Sequence, residues 1–124
     1  MTRTILVVED TDVCRDALEV AFGKIPGLAV HAVASAEQAL EYLAAEDVCA
    51  LVTDVNLPGM DGLSLIERVR SLPRCALLPV VVITGDTDPG TPHRIAESGA
   101  SAYFSKPYSP AAVCSKLEQL VNVY

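Results

Sequence analysis

The segment LVTDVNLPGMDG, residues 51–62, contains a strand end, a turn and a helix start in direct succession. The apolar run 49–53 predicts a strand that is covered on both faces and ends at Asp54. Pro58 and Gly59 are typical turn residues. Apolar residues then recur at helical spacing, namely Leu63, Ile66 and Val69. A strand followed at once by a helix is the repeating unit of an α/β fold.

The same order of strand and helix occurs on both sides of this segment. Short apolar runs predict four further strands at residues 5–8, 28–33, 80–83 and 102–105. Each is followed by residues that favour a helix start: Thr11 or Asp12, Ser35 in a capping box with Gln38, Thr91 as N-cap before Pro92, and Ser109 before Pro110. The first helix is predicted from the apolar residues Val13, Ala17, Val20, Ala21 and Phe22.

Five such units predict an α/β fold of the doubly wound kind. The sheet is expected to have five parallel strands, right-handed crossovers and helices on both faces. With 124 residues and roughly 150 residues per domain, we expect one domain over residues 1–124. Chemistry in such a sheet is expected at the carboxyl ends of the strands.

Composition excludes several classes of function. The net charge of −7, from 16 acidic and 9 basic residues, argues against direct binding of nucleic acid. No apolar run approaches the roughly 18 residues that a membrane helix needs, and the start lacks a signal-peptide core. The four cysteines are scattered without zinc-type spacing. We therefore expect a cytoplasmic protein with free thiols and no membrane partner.

Charged and polar residues follow four of the five predicted strands. Glu9 and Asp10 follow the first, Asp54 the third, Thr84 ends the fourth and Lys106 follows the fifth. If the first and third strands are neighbours, three carboxylates converge on one small pocket, where a cation would relieve their repulsion. Oxygen donors without His or Cys favour Mg2+. A carboxylate beside Mg2+ can attack phosphorus, and a lysine and a hydroxyl can meet the charge of the transferring group.

Four motifs in this order resemble the receiver domains of two-component response regulators: ILVVED, LVTDVNLPGMDG, VVVITGD and GASAYFSKPYS. The resemblance covers residues 4–121 and implies the flavodoxin-like strand order 2-1-3-4-5. It implies that Asp54 accepts a phosphoryl group with Mg2+ as cofactor. Asp10 would be a direct metal ligand, Glu9 would act mostly through water, and the backbone carbonyl of Asn56 would be a further ligand.

The resemblance also implies roles for residues around the acceptor. Lys106 would pair with the phosphoryl group and form a cis peptide with Pro107. Thr84 and Tyr103 would be the switch pair, in which the hydroxyl moves to the phosphoryl group and the ring turns inward. Two residues would tune the loss of the phosphoryl group, Asn56 and Asp86.

Partners follow from the same resemblance. The donor would be a histidine kinase, a histidine phosphotransfer protein or a small phosphodonor. The signal would pass to a protein partner, or to a second copy of the chain, that binds the face of the fourth helix, fifth strand and fifth helix. That face would include His93, Arg94, Tyr103 and Pro107. The chain would be no enzyme beyond its own phosphorylation and slow dephosphorylation. Stand-alone regulator and fragment of a hybrid kinase or larger regulator both stay open.

Three other functions share parts of this pattern. A phosphatase or phosphotransferase with an Asp nucleophile usually has a second acid two residues on, where this chain has Asn56. A flavodoxin-like flavin binder needs a first loop that holds phosphate, and Glu9 and Asp10 would repel it. A receiver-like scaffold that is never phosphorylated would usually have lost a pocket residue, whereas all five are present.

Overall fold

A computed structural model describes residues 3–121 of the chain. Five strands and five α-helices alternate along it, with a short 3-10 helix before the fourth strand. The strands are β1 Arg3–Val8, β2 Leu28–Val33, β3 Ala50–Thr53, β4 Val80–Thr84 and β5 Ala102–Ser105. The helices are α1 Asp12–Gly23, α2 Ala36–Ala45, α3 Gly62–Ser71, α4 Thr91–Glu97 and α5 Pro110–Val121, and the 3-10 helix is Pro73–Cys75. Both ends of the predicted domain 1–124 lie outside the described residues.

All five strands form one parallel sheet in the order β2-β1-β3-β4-β5. This confirms the predicted fold class and strand order. The register pairs Val8 with Thr53 and Thr84 with Ser105, so neighbouring strands end at one level. Polar residues just beyond these ends are thereby brought to one edge of the sheet.

Each face of the sheet packs against its own layer of helices. Because side chains alternate along a strand, Leu6, Val8 and Leu51 pack on the face covered by α2, α3 and α4. Ile5, Val7 and Val52 pack on the opposite face, under α1 and α5. Both faces are buried, which explains the continuous apolar runs in the sequence. Within residues 3–121 no helix combines the length and hydrophobicity needed to cross a membrane.

The packed face of α1 differs from the residues used to predict it. Val13 and Val20 are 77% and 63% exposed, and Ala17 is exposed as well. Of the residues used for the prediction, Phe22 is buried and Ala21 is partly packed, and the helix also buries Leu18. Apolar residues occupy more than one side of this helix, so spacing alone could not select the side that meets the sheet. Contact with α5 and β2 decides it.

Helix starts agree with the predicted positions except at α4. There Gly90 is the N-cap, and Thr91 and Pro92 are the first two helical residues, so the prediction was one residue late. Thr91 is fully buried, and its hydroxyl oxygen accepts a hydrogen bond from Arg94 Nη2 at 2.9 Å. Its side chain is therefore buried at the first position of the helix, next to Arg94. In α2, Ser35 caps as predicted, with its hydroxyl oxygen accepting from the amide of Gln38 at 3.2 Å.

Substitutions on α1 test this assignment of its faces. We expect Leu18→Ala to lower the free energy of unfolding by about 2–5 kcal/mol, because it leaves a cavity between helix and sheet. Val20→Ala should change it by no more than about 0.5 kcal/mol, because the side chain is exposed and alanine favours helix. Urea unfolding of both variants measures the two values. A larger loss for Val20→Ala than for Leu18→Ala would contradict the faces described.

Candidate functional site

Asp54 follows β3 directly and lies at the carboxyl edge of the sheet. Its amide donates to the carbonyl of Val8 at 3.3 Å, which ties it to the end of β1. Its Oδ1 accepts from the amide of Asn56 at 3.1 Å. The residue is only 7% exposed. A nearly buried carboxylate needs a charged or hydrogen-bonding partner on its second oxygen.

Lys106 supplies that partner from the end of β5. Its Nζ lies 2.8 Å from Asp54 Oδ2 and 3.4 Å from Glu9 Oε2. Burial by itself would lower the pKa of Lys106, but the hydrogen bond and charge of Asp54, with the charge of Glu9, raise it above its ordinary value. The lysine is therefore a fixed cation between two carboxylates. The peptide between Lys106 and Pro107 is cis, as the resemblance implied.

Glu9 is the most deeply buried carboxylate of the site, at 2% exposure. Its Oε1 accepts from the amide of Thr11 at 3.3 Å. Burial raises the pKa of Glu9 and the charge of Asp54 adds to the rise, while Lys106 and the Thr11 amide oppose it. The balance remains upward. The ionised form of Glu9 is thus incompletely compensated by the protein alone.

Asp10 does not join the other two carboxylates. Its side chain is exposed, whereas Glu9 and Asp54 both approach Lys106. In the part of the chain that is described, no three His, Cys, Asp or Glu side chains form a group able to hold a metal ion. The expected convergence of three carboxylates is therefore not met. The two buried carboxylates instead share the ammonium of Lys106.

The donors nevertheless fit Mg2+ by their chemistry. Asp54 and Glu9 offer carboxylate oxygens at the ends of two paired strands, and Asp10, the residue after Glu9, has an exposed carboxylate. All three donors are carboxylates, and oxygen-only sites favour hard cations. Burial is the largest cause of the raised pKa of Glu9, and a bound cation would offset this cost of ionisation.

Thr84 is fully buried at the end of β4. Its hydroxyl oxygen accepts from the amide of Asp86 at 3.2 Å, and its carbonyl accepts from the amide of Lys106 at 2.8 Å. The fourth and fifth strand ends are thus joined beside Asp54. Tyr103 lies on edge strand β5, paired in register with Val82, and is 37% exposed.

Asp86 and Asn56 approach one another from the loops after β4 and β3. The pKa of Asp86 is lowered, chiefly because its carboxylate accepts from the amide of Asp88. The side chains of Thr91 and Asn56 add to this lowering. Asp88 donates to Asp86 Oδ1 at 2.8 Å. The loop after β4 is therefore held both to the loop that follows Asp54 and to the start of α4.

The predicted output residues His93, Arg94, Tyr103 and Pro107 are all exposed. His93 pairs with Glu97 one turn along α4, and Arg94 Nη2 lies 3.9 Å from Asp88 Oδ2. His31, outside this surface, stacks on Tyr42 with ring centroids 4.0 Å apart.

Two residues that contact Asp54 or Glu9 were not recognised as site residues from the sequence. Gly62 begins α3 so close to Asp54 that a Cβ there would lie 1.9 Å from the Asp54 carbonyl oxygen. Arg15 donates from Nη1 to the carbonyl of Glu9 at 2.9 Å. The sequence does contain a signal for Arg15, because it is a cation in the first turn of a predicted helix. The helix dipole disfavours a cation there unless a specific contact offsets the repulsion.

The family model for the response regulator receiver domain matches residues 5–118. Transcriptional regulatory protein GltR of Pseudomonas aeruginosa is 31% identical over 120 residues, covering 97% of this chain but 49% of GltR. This chain thus spans about half the length of that relative. Two-component response regulator ORR8 of Oryza sativa is 38% identical over 104 residues, which are 83% of this chain and 85% of ORR8.

Solved structures share the fold. The receiver domain of a sensor histidine kinase from Pseudomonas aeruginosa superposes with a TM-score of 0.89 at 24% identity, covering 99% of this chain and 100% of that one. That crystal structure has a magnesium ion coordinated in its active-site cleft.

The raised pKa of Glu9 predicts how the stability of the folded protein depends on pH. Because the pKa of Glu9 is raised on folding, the folded state binds its proton more tightly, and stability falls as pH rises from 4.5 through the folded pKa. At pH 7 with EDTA, we expect Glu9→Gln to raise the unfolding midpoint by about 3 °C. The gain should shrink as pH falls and wild-type Glu9 becomes protonated.

Glu41→Gln is the matched control, since it removes the same charge from an exposed position on α2. Differential scanning calorimetry compares the three proteins. If the unfolding midpoint of Glu9→Gln lies below that of Glu41→Gln, burial of ionised Glu9 does not destabilise the folded protein as proposed.

Proposed function

The chain belongs to the response regulator receiver domain family, and from that premise we propose that its phosphoacceptor is Asp54. The observation that carries this assignment is the contact of 2.8 Å between Lys106 Nζ and Asp54 Oδ2 at the carboxyl edge of the sheet. An almost buried carboxylate beside a fixed cation suits attack on phosphorus, because the lysine is ready to meet the negative charge that arrives.

The transfer forms one bond and breaks one. An oxygen of Asp54 bonds to phosphorus while the bond from phosphorus to the donor breaks, and its electrons leave with the donor. The donor is the imidazole of a phosphohistidine or the leaving group of a small phosphodonor. Negative charge spreads over three phosphoryl oxygens. Lys106, with its Nζ 2.8 Å from Asp54 Oδ2, would stabilise this charge, and we assign the hydroxyl of Thr84 as a further donor.

Mg2+ is the cofactor that we propose for this site. We assign Asp10, Asp54 and the backbone carbonyl of Asn56 as direct ligands and Glu9 as a ligand through water. When bound, Mg2+ would neutralise charge on the phosphoryl oxygens. Glu9 supports the assignment, since its carboxylate is almost fully buried beside Asp54 and Lys106, where a cation would offset the cost of burying its ionised form.

Signalling would use Thr84 and Tyr103. The Thr84 hydroxyl accepts from the amide of Asp86, so a move toward a phosphoryl oxygen would alter the loop that leads into α4. Tyr103 on β5 would report this change at the face formed by α4, β5 and α5. A protein output partner, or a second copy of the chain, would bind there. The effect depends on the phosphoryl charge making different contacts in two states.

The remaining assignments extend this function. Residues 1–124 would form a single receiver domain, cytoplasmic, that takes its phosphoryl group from a histidine kinase or a histidine phosphotransfer protein. It would catalyse only its own phosphorylation and slow dephosphorylation. No direct contact with nucleic acid or membrane is proposed. Asn56 and Asp86 would tune the rate of hydrolysis, because their side chains approach one another beside the acceptor.

Labelling tests the acceptor. We expect acetyl phosphate with Mg2+ to add one phosphoryl group to the chain, seen as a single shift in intact mass. Asp54→Asn should abolish the shift, because a neutral amide neither attacks phosphorus nor balances the cation. EDTA should abolish it in the wild type.

If Asp54→Asn is labelled as fully as the wild type, Asp54 is not the phosphoacceptor. In the same assay, Asp86→Ala should change the rate at which the label is lost several-fold and leave Mg2+ affinity nearly unaltered. Altered affinity with an unchanged rate would remove Asp86 from the tuning role.

The route of the signal has its own test. With beryllofluoride as a stand-in for the phosphoryl group, we expect backbone NMR shifts at α4, β5 and α5 to exceed those at α2. Thr84→Ala should still be labelled at Asp54 but show smaller remote shifts, because the hydroxyl that senses the new charge is gone. Full-sized remote shifts in Thr84→Ala, or shifts mainly on α2, would contradict this route.

A further inference from the structure

Arg15 makes two contacts that tie α1 back to the end of β1. Its Nη1 donates to the backbone carbonyl of Glu9 at 2.9 Å, and its Nη2 pairs with the carboxylate of Asp12. Its side chain is 20% exposed, so most of it is packed. One guanidinium thus joins the last peptide of the strand end to the first residue of the helix.

The position of Arg15 is unfavourable for a cation taken alone. The first turn of a helix has a partial positive charge, which repels Lys and Arg. Asp12 offsets this charge, and the Glu9 carbonyl supplies a hydrogen bond to a charged donor. A lysine would keep the charge but lacks the planar fork that can bind both acceptors at once.

The carbonyl held by Arg15 belongs to the peptide that joins Glu9 to Asp10. The rest of Glu9 is held as well, since its amide donates to the carbonyl of Val33 at 3.1 Å and its carboxylate accepts from Thr11. The Glu9–Asp10 peptide leads directly to Asp10, whose side chain is exposed. Fixing that peptide fixes the direction in which Asp10 leaves the strand.

We propose that Arg15 is a positioning residue, which holds the Glu9–Asp10 peptide so that both carboxylates are oriented for one divalent cation. This inference rests on the proposed function, in which Asp10 and Glu9 serve Mg2+. Arg15 itself would not touch the ion. Groups that orient metal ligands typically change metal affinity by roughly 10- to 100-fold when removed.

Loss of the Arg15 charge and loss of its positioning contact should change Mg2+ affinity in opposite directions, which makes the proposal testable. A cation near the site repels Mg2+, so loss of the charge alone would tighten Mg2+ binding. Loss of the positioning contact would weaken it. Arg15→Lys keeps the charge and loses the fork, whereas Arg15→Met loses both.

The experiment measures Mg2+ affinity of the unphosphorylated chain by NMR titration of the backbone amides. We expect Arg15→Lys to weaken binding about tenfold and Arg15→Met to weaken it somewhat less, because the lost charge partly offsets the lost contact. Arg68→Met is the control, since it removes the same charge from an exposed site on α3, across the sheet. It should bind Mg2+ within about twofold of wild type, as expected for a screened, distant charge.

Unfolding midpoints in EDTA separate positioning from general stability. The proposal holds if Arg15→Lys loses affinity while its midpoint stays close to that of Arg68→Met. It is overturned if Arg15→Lys binds Mg2+ as wild type does, if Arg15→Met binds more tightly, or if affinity falls only in step with stability. If the wild type binds Mg2+ in these cases, only the role of Arg15 is refuted and the proposed function is unaffected. A wild-type chain that binds no Mg2+ overturns both.

Discussion

The ammonium of Lys106 lies between the carboxylates of Glu9 and Asp54, and the three charges come from the ends of three different strands. An isolated buried charge costs several kcal/mol, so neither carboxylate could be enclosed without this partner. The contact also requires a particular arrangement of the chain. β1, β3 and β5 must lie in one parallel sheet with their carboxyl ends level, or the lysine cannot reach both acids. The apolar layers on the two faces of the sheet supply that arrangement, because they leave only the strand ends free for polar groups.

The site is built at some expense to stability. Burial holds Glu9 in a place where its ionised form is disfavoured, and Lys106 offsets this only in part. Such imbalance is common where a protein keeps charge ready for a ligand instead of optimising its own packing. The closeness of α3 to Asp54 has a similar origin. Only glycine at position 62 lets the helix start against the Asp54 carbonyl, and its amide then bonds to Val55 at 2.8 Å.

A series of hydrogen bonds runs from Thr84 through the loop after β4 to the start of α4. Thr84 accepts from the amide of Asp86, Asp86 accepts from that of Asp88, and Asp88 accepts from that of Gly90 at 2.9 Å. The helix α4 begins at the next residue. Each link is short and local, so a change at the Thr84 hydroxyl alters the same loop that sets the start of α4. Tyr103 lies on the neighbouring edge strand, at the border of the exposed face that includes His93 and Arg94.

The sequence by itself determined the alternation of strands and helices, because continuous apolar runs, helix caps and turn residues are local signals. It also identified Glu9, Asp54, Thr84 and Lys106, since polar residues directly after buried strands must meet at one edge of a parallel sheet. Local pattern could not choose the packed side of α1, where Val13 and Val20 are as apolar as the buried Leu18 and Phe22. It could not show that Asp10 stays exposed while Glu9 turns to Lys106, or that Arg15 reaches back to the Glu9 carbonyl. Those outcomes depend on distances between residues far apart in the chain, and only the assembled sheet and helices fix them.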